Sequence, residues 1–278
     1  MKDKSQQHTR LKGVYPARKK DGTLYFRASL TYRHKHISLG SFADARTAHH
    51  AYLEGQSLLA DSDISLLQYG KSSLLSYEKW VCLLNFRDNG IYFGTPIYMG
   101  KRLFYYHLTP SQILKFDLDD LFYFSSHKIM CRGNHYFVAD YGMQINLASR
   151  YGIKNYAVEG RDFRFLNGDS TDFRRENLEI LNAYHGVRLT QQKNGQYVYT
   201  VRIHIRGDYL VGQYHSEEEA AIAYNKAIDI LRKNGVRKNY TPNYIEGMSP
   251  SRYADIYTAL KISPRIVNYR PSTSPNNQ

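Results

Sequence analysis

A stretch near the start of this chain recurs near its end, and that repeat limits what the 278 residues can fold into more than any single motif does. The first copy reads KGVYPARKKDGTLYFRASLTYRHKHISLGSFADARTAHHAYLEG from Lys12, and the second reads HGVRLTQQKNGQYVYTVRIHIRGDYLVGQYHSEEEAAIAYNKAI from His185. Both run Gly-Val, a basic turn, an alternating stretch, a Leu/Val-Gly-x-aromatic step and an Ala-rich segment. The turns hold Asp21-Gly22 and Asn194-Gly195, dipeptides that tolerate the positive φ of a tight hairpin.

Each copy is therefore expected to form three short strands and a helix. In the second, Tyr197, Tyr199, Val201 and Ile203 alternate with Val198, Thr200, Arg202 and His204, so the odd positions predict an apolar face and the later even positions a polar one. In the first, Phe26, Ala28 and Leu30 alternate with Arg27, Ser29 and Thr31. Ser216 with Glu219 three residues on predicts a helix start, and Ala220, Tyr224, Ala227, Ile228 and Leu231 follow at helical spacing. Asp44 is the matching cap in the first copy, ahead of a weaker stripe of Ala45, Ala48, Tyr52 and Leu59. With a helix on one sheet face, the other face is left to solvent or a ligand.

Charge follows the repeat. Of a formal net charge of +13, residues 1–59 carry 11 Lys and Arg against 4 Asp and Glu, and residues 183–278 carry 13 against 7. Residues 60–182 carry 14 of each, so the whole excess lies in the flanks. A basic surface that only conferred solubility has no reason to spare the centre, and the pattern predicts an anionic macromolecule as partner. The two cysteines, Cys82 and Cys131, have no companions at zinc-ligand spacing and cannot build a disulfide framework, which predicts a reducing compartment. Neither a signal-peptide core nor a membrane span is legible, so lipid is not the expected partner.

The GVR start, the hairpin, the LGxF-like turn and the EEEAAIAYNKA helix resemble the ethylene-response-factor type of DNA-binding domain, in the form appended to bacterial and phage homing endonucleases. The resemblance covers roughly fifty residues at each end and is stronger in the second copy. It implies a three-stranded sheet laid in the DNA major groove, with Arg188, Thr200 and Arg202 as base-reading positions in the C-terminal copy and Arg27 and Ser29 in the N-terminal one. His204 extends the same polar face. Arg18, Lys19, Lys20, Arg33, Lys35, Lys193 and Arg206 fall at or beside hairpin turns, where they would meet phosphates. Leu210 stands where that family has Trp, and Asp208 where it has Arg, so its base preference does not carry over.

A second resemblance ends the middle segment. Asn167-Gly168-Asp169 and Arg174-Arg175-Glu176-Asn177-Leu178 are similar to the frame of the HNH endonuclease finger. That family places a metal-binding Asp, a proton-accepting His and an Asn where this chain has Arg164, Phe165 and Phe173, and its upstream His aligns with Ala148. Phenylalanine has no lone pair to accept a proton, and Arg brings positive charge to a cation site. Asp162, Asp169, Asp172 and His135 lie off the family spacing. Asp169 and Asn177 are expected to act as a loop cap and a helix-end hydrogen bond, and Arg174 and Arg175 to hold a phosphate. The aromatic runs Tyr92-Phe93, Phe104-Tyr105-Tyr106 and Phe122-Tyr123-Phe124 are expected in a core rather than stacked on bases, since their surroundings are not basic.

The expected class is α+β: two small three-stranded antiparallel sheet-plus-helix domains at 1–60 and 183–245 flank a degenerate ββα HNH-like domain at 61–182. A partly flexible extension follows at 246–278, its tail from about Ile262 carrying Pro264, Pro271 and Pro275. The expected function is sequence-specific binding of double-stranded DNA in the cytoplasm, at the nucleoid, as a repressor by site occlusion. No catalytic residue, metal, cofactor or small-molecule substrate is expected, and the oligomeric state is not assigned. An active or nicking HNH endonuclease with a relocated metal site is the alternative.

Overall fold

A computed structural model of the chain describes residues 11–133, 135–140 and 142–271. The fold is α+β, with helices set against small antiparallel sheets. It divides into two compact units, formed by the described residues of Met1–Leu147 with Asp169–Arg175, and by those of Ala148–Gly168 with Glu176–Gln278. Each unit holds one copy of the repeat. Among the described residues no helix is long and apolar enough to cross a membrane.

In the first unit β1 (Val14–Arg18), β2 (Leu24–Tyr32) and β3 (Lys35–Phe42) form an antiparallel sheet in that order, and α1 (Ala45–Ala60) packs on one face. Asp44 caps α1, its carboxylate accepting from the Thr47 backbone N–H at 2.8 Å and the Thr47 hydroxyl at 2.7 Å. Val14, Ala28, Leu30, Ile37 and Leu39 from the sheet meet Ala48, Ala51, Tyr52 and Leu58 from the helix. A second helix, α2 (Tyr77–Asn89), capped by Ser76, adds Trp80, Leu83, Leu84 and Phe86 to that core.

The rest of this unit is two more three-stranded antiparallel sheets. The first is β4 (Ile97–Met99), β5 (Leu103–Thr109) and β6 (Gln112–Asp117). After the short α3 (Leu121–Ser126), the second is β7 (Ile129–Arg132), β8 (His135–Asp140) and β9 (Met143–Asn146). Phe104, Tyr106 and Phe124 are fully buried here with Phe116, so these rings are core; Phe122 departs from its run and is 86% exposed.

In the second unit a two-stranded hairpin, β10 (Phe163–Phe165) and β11 (Leu178–Ile180), leads into β12 (Val187–Gln191), β13 (Tyr197–His204) and β14 (Asp208–Tyr214), with α4 (Glu217–Lys233) on one face. Ser216 caps α4 by accepting from the Glu219 N–H at 3.1 Å. Glu217, Glu218 and Glu219 in the first turn and Arg232 and Lys233 in the last complement the helix dipole, a charge arrangement that α1 lacks. The helix of the expected ββα frame does not follow β11: residues 181–186, which lead to β12, hold no helix. There Asn182 bonds the Arg161 carbonyl at 2.5 Å and the Leu189 N–H at 2.9 Å.

The two copies match in strand register. Val14 opposite Ala28 corresponds to Val187 opposite Val201, and Arg27 opposite Ser41 to Thr200 opposite Gln213. Both middle strands carry an irregularity at the same step, Ala28/Ser29 and Val201/Arg202. Gly13 and Gly186 open the two sheets with φ of +76° and +72°, and a Cβ would fall 2.0 Å from Tyr52 and 2.4 Å from Tyr224, the equivalent helix tyrosines. The Gly-Val signature of the repeat is thus a backbone position only glycine satisfies, closed over by a tyrosine ring.

The odd-position face expected for β13 holds for Val201 and Ile203 and fails at the tip, where Tyr197 is 62% exposed and Val198 is buried. That end overhangs the residues packing on α4, which include Tyr199 and not Tyr197. The expected flexibility from Ile262 is corrected as well. There α6 (Pro264–Val267), preceded by α5 (Pro250–Ala259), drives Ile266 fully into the α4 core; Pro275 and the terminal Asn-Asn-Gln lie outside the described residues.

Candidate functional site

The face of the C-terminal sheet opposite α4 carries the polar side chains. Its cross-strand rows place Arg188 beside Thr200 and Thr200 beside Gln213, then Arg202 beside Leu210 and His204 beside Asp208. Together Arg188, Thr190, Gln191, Gln192, Lys193, Thr200, Arg202 and Gln213 line an open groove of about 420 Å³. Four of the residues expected from sequence, Arg188, Lys193, Thr200 and Arg202, meet there. Thr190, Gln191, Gln192 and Gln213 were missed, although the strand alternation that picked out Thr200 also points to Thr190 and Gln213.

The groove floor is ordered by its own hydrogen bonds. The Thr190 and Thr200 hydroxyls lie 2.7 Å apart, Gln213 Nε2 donates to Thr200 Oγ1 at 3.3 Å, and Gln192 Nε2 donates to Gln213 Oε1 at 3.3 Å. The Arg188 and Arg202 side chains are exposed at its rim. His204 Nδ1 lies 2.8 Å from Asp208 Oδ1, and this contact, aided by the fields of Arg188 and Arg202, holds the Asp208 carboxyl below its usual range. Such a face offers forked donors, hydroxyls and amides in fixed positions, the chemistry that matches phosphate oxygens and the acceptor edges of purines.

The entry to β12 is tied down by side-chain amides. Asn243 Oδ1 accepts from the His185 N–H at 2.7 Å, and its Nδ2 donates to the His185 carbonyl at 3.1 Å. Asn225 on α4 holds the backbone of Asn243 in the same manner, at 2.7 and 2.9 Å. This relay fixes the strand that presents Arg188.

The same face of the N-terminal sheet is chemically different. Tyr15 occupies the place of Arg188, Arg27 that of Thr200, Ser29 that of Arg202 and Ser38 that of Leu210. Arg27 donates from Nε and Nη2 to the Tyr25 hydroxyl, at 3.2 and 2.8 Å, and lies over that ring. Ser29, expected on the reading face, is 7% exposed. At the equivalent backbone position Arg202 reaches solvent because its stem is long, whereas a serine hydroxyl stays below its neighbours.

Among the turn residues, Arg18 donates to the Gly22 carbonyl at 3.0 Å and closes its own hairpin, while Lys19, Lys20 and Lys193 are exposed. Arg33 and His34 form a turn with φ of +44° and +64°. Arg33 is exposed and places Nη1 3.4 Å from the Phe86 carbonyl in the last turn of α2, and Lys35, also exposed, lies 5.9 Å from the Tyr92 ring. Arg206 is exposed in the β13–β14 turn.

The groups of the central frame are engaged within the protein. Phe165 is buried, and Phe173 is buried and stacks on Phe116 at 5.8 Å. Arg164 pairs with Glu179 across β10 and β11. Asp162 is held by Arg161 at 2.6 Å and Lys154 at 3.1 Å, and Asp172 by Arg174 at 2.6 Å. Arg174, expected to grip a phosphate, thus has its charge matched by a buried carboxylate; the Arg175 side chain is exposed. Asp169 accepts from Thr171 N–H and Oγ1 and pairs with Lys115 at 2.7 Å, contacts that lower its pKa to about 2. Asp169 is therefore the loop cap expected, and Asn177 closes the loop by accepting from the Asn167 N–H at 2.8 Å. Among the described residues no group of three or more His, Cys, Asp or Glu side chains is placed to hold a metal ion. No family model, curated protein or solved structure matches the chain.

Proposed function

We propose that this chain is a sequence-specific double-stranded DNA-binding protein that acts by occupying its site, as a repressor does, and that the outer face of the C-terminal sheet is its principal reading surface. One observation carries the reading: Arg188 and Arg202 stand exposed at the rim of a groove whose hydroxyl and amide floor is already ordered. In a major groove the two guanidinium forks match guanine O6 and N7, and Lys193 at the hairpin tip matches a phosphate. The charge excess confined to the two ends supports an anionic partner for both copies. Two binding modules on one chain raise the effective concentration of the second contact and lengthen residence, which suits occlusion.

In this reading the centre is a relative of the HNH finger that keeps a frame and has given its chemical positions to packing. Phe165 and Phe173 are buried where the resemblance places a proton acceptor and an Asn, and Asp162, Asp169 and Asp172 are each neutralised by a cation. The test is selection of the purified chain on random duplexes, followed by footprinting on the recovered site with magnesium or manganese present. Enrichment of one motif, with a protected footprint and an intact strand, is the expected result. Absence of any retained duplex overturns DNA binding, and metal-dependent scission overturns occupancy as the mode of action.

A further inference from the structure

Leu210 is the exposed large aliphatic side chain on the polar face of the C-terminal sheet, 40% exposed and directly across from Arg202. Leu189 and Tyr197, also exposed, stand at odd positions on the other face. Cross-strand partners hold their Cβ atoms roughly 5 Å apart on one face, and Leu210 is the ladder partner of Arg202 beside the irregularity at Val201/Arg202. On the other side of Arg202 the row is empty of side chain. The Arg202 N–H donates to the carbonyl of Gly186 at 2.8 Å, and any Cβ at Gly186 would meet the Arg202 carbonyl at 2.4 Å. The row therefore runs glycine, arginine, leucine, a cation with an apolar neighbour on one flank only. The adjoining rows are polar, with Arg188, Thr200 and Gln213 on one side and the His204–Asp208 pair on the other.

A lone exposed leucine on a protein surface needs no explanation. A leucine in register with a base-reading arginine, on a face whose other exposed side chains beside it are polar, has one natural counterpart in duplex DNA. The C5-methyl group of a pyrimidine is the apolar feature of the major-groove edge, and on the base preceding a guanine it projects beside that guanine's O6 and N7. We propose that Leu210 is a specificity-determining residue that packs on the C5-methyl of a pyrimidine immediately 5′ to the guanine held by Arg202. Thymine and 5-methylcytosine present the same methyl, so the ligand class is a 5-methylpyrimidine–guanine step. The N-terminal copy has Ser38 in place of Leu210 and a buried Ser29 in place of Arg202, so only the C-terminal copy makes this distinction. The proposal rests on the DNA-reading function assigned above.

The experiment uses the full chain. Duplexes are selected in parallel from an unmodified random pool and from one in which every cytosine is 5-methylcytosine, and the winners are remade with single bases changed. Replacing thymine by uracil, or 5-methylcytosine by cytosine, deletes one methyl group and leaves every hydrogen-bonding edge intact. A loss of about 3–10-fold in affinity at one pyrimidine before a guanine is expected. If the uracil arm shows it, thymine is the natural partner, and if only the methylcytosine arm does, the methylated base is. Leu210→Ala should abolish the methyl effect while leaving the guanine preference, and Leu210→Met should keep both. Equal affinity with and without the methyl, or a methyl effect that survives in Leu210→Ala, overturns the proposal with DNA binding left standing. Failure to retain any duplex removes it together with the reading beneath it.

Discussion

The two copies of the repeat share a fold down to the position of a strand irregularity, yet they present different outer faces. The C-terminal sheet offers Arg188 and Arg202 over a floor of Thr190, Thr200 and Gln213. The N-terminal sheet offers Tyr15, an Arg27 laid on its own Tyr25, and a serine sunk below the surface. Their supports differ as well. The C-terminal copy is buttressed by the Asn225–Asn243–His185 relay and by Ile266, the N-terminal one by α2, whose last turn receives Arg33. What the two copies share is the geometry that buries a helix on a sheet; the side chains facing outward differ, and the core packing does not depend on them.

The strongest way to break this equivalence is at the glycines that open the sheets. Gly13→Ala and Gly186→Ala should each cost about 2–5 kcal/mol, from a left-handed alanine added to a clash with Tyr52 or Tyr224. Gly22→Ala and Gly195→Ala, at φ of +85° and +84° with open space around them, should cost about 1–2 kcal/mol. Denaturant titration of the four variants checks this, and a well-tolerated alanine at either opening position would mean the copies are not built alike.

Acid should separate the two regions next. His107 is buried in the first unit, with Nδ1 2.9 Å from the Tyr77 hydroxyl, and burial lowers its pKa to about 4. Between pH 6.5 and 4 the unfolded chain binds a proton that the folded chain refuses. Stability from this group is therefore intact above pH 6.5 and declines towards pH 4, by about 3 kcal/mol in total. His107→Gln should flatten that slope for the first unit in urea titrations across this range. An unchanged slope would show that other groups govern its acid response.

The proposed difference in reading sharpens at the arginines. Arg202→Ala should weaken binding to a selected duplex by about 1–3 kcal/mol and binding to random duplex far less, whereas Arg27→Ala should lower both alike. Equal losses from Arg202→Ala on the two DNAs would make that residue a backbone contact. The smallest effect is expected at the turns. A Lys19/Lys20 double alanine should reduce the salt dependence of binding by up to about two phosphate contacts, and Lys193→Ala by about one. A slope that does not move would remove those turns from the interface.

Much of the candidate site was legible in the sequence. Alternation along Thr200, Arg202 and His204 picked out the polar face, and Asn194-Gly195 fixed the hairpin that places Lys193 at its tip. Thr190 and Gln213 lay within reach of the same argument. The other expected positions are shaped by their surroundings. Ser29 stands at the right position of the strand, but its short side chain cannot reach past its neighbours. Arg33 is exposed at its turn but also reaches the Phe86 carbonyl, far along the chain, whereas the carboxylate that engages Arg174 belongs to Asp172, two residues before it, and lay within reach of a local reading. The tail from Ile262, punctuated by prolines, gave no local sign that Ile266 would find a cavity beside α4.

By itself the sequence determined that two sheet-and-helix copies exist, where their turns fall and that positive charge belongs to them, because hairpin dipeptides, strand alternation and helix capping are local rules written over a few residues. Whether Lys115 reaches Asp169 and which serine is covered were decided by the tertiary structure. Some ion-pair partners are neighbours in sequence, as Asp172 is of Arg174 and Asp162 of Arg161, but others, as Lys115 with Asp169, meet across long stretches of chain, and no local pattern encodes the distance between them.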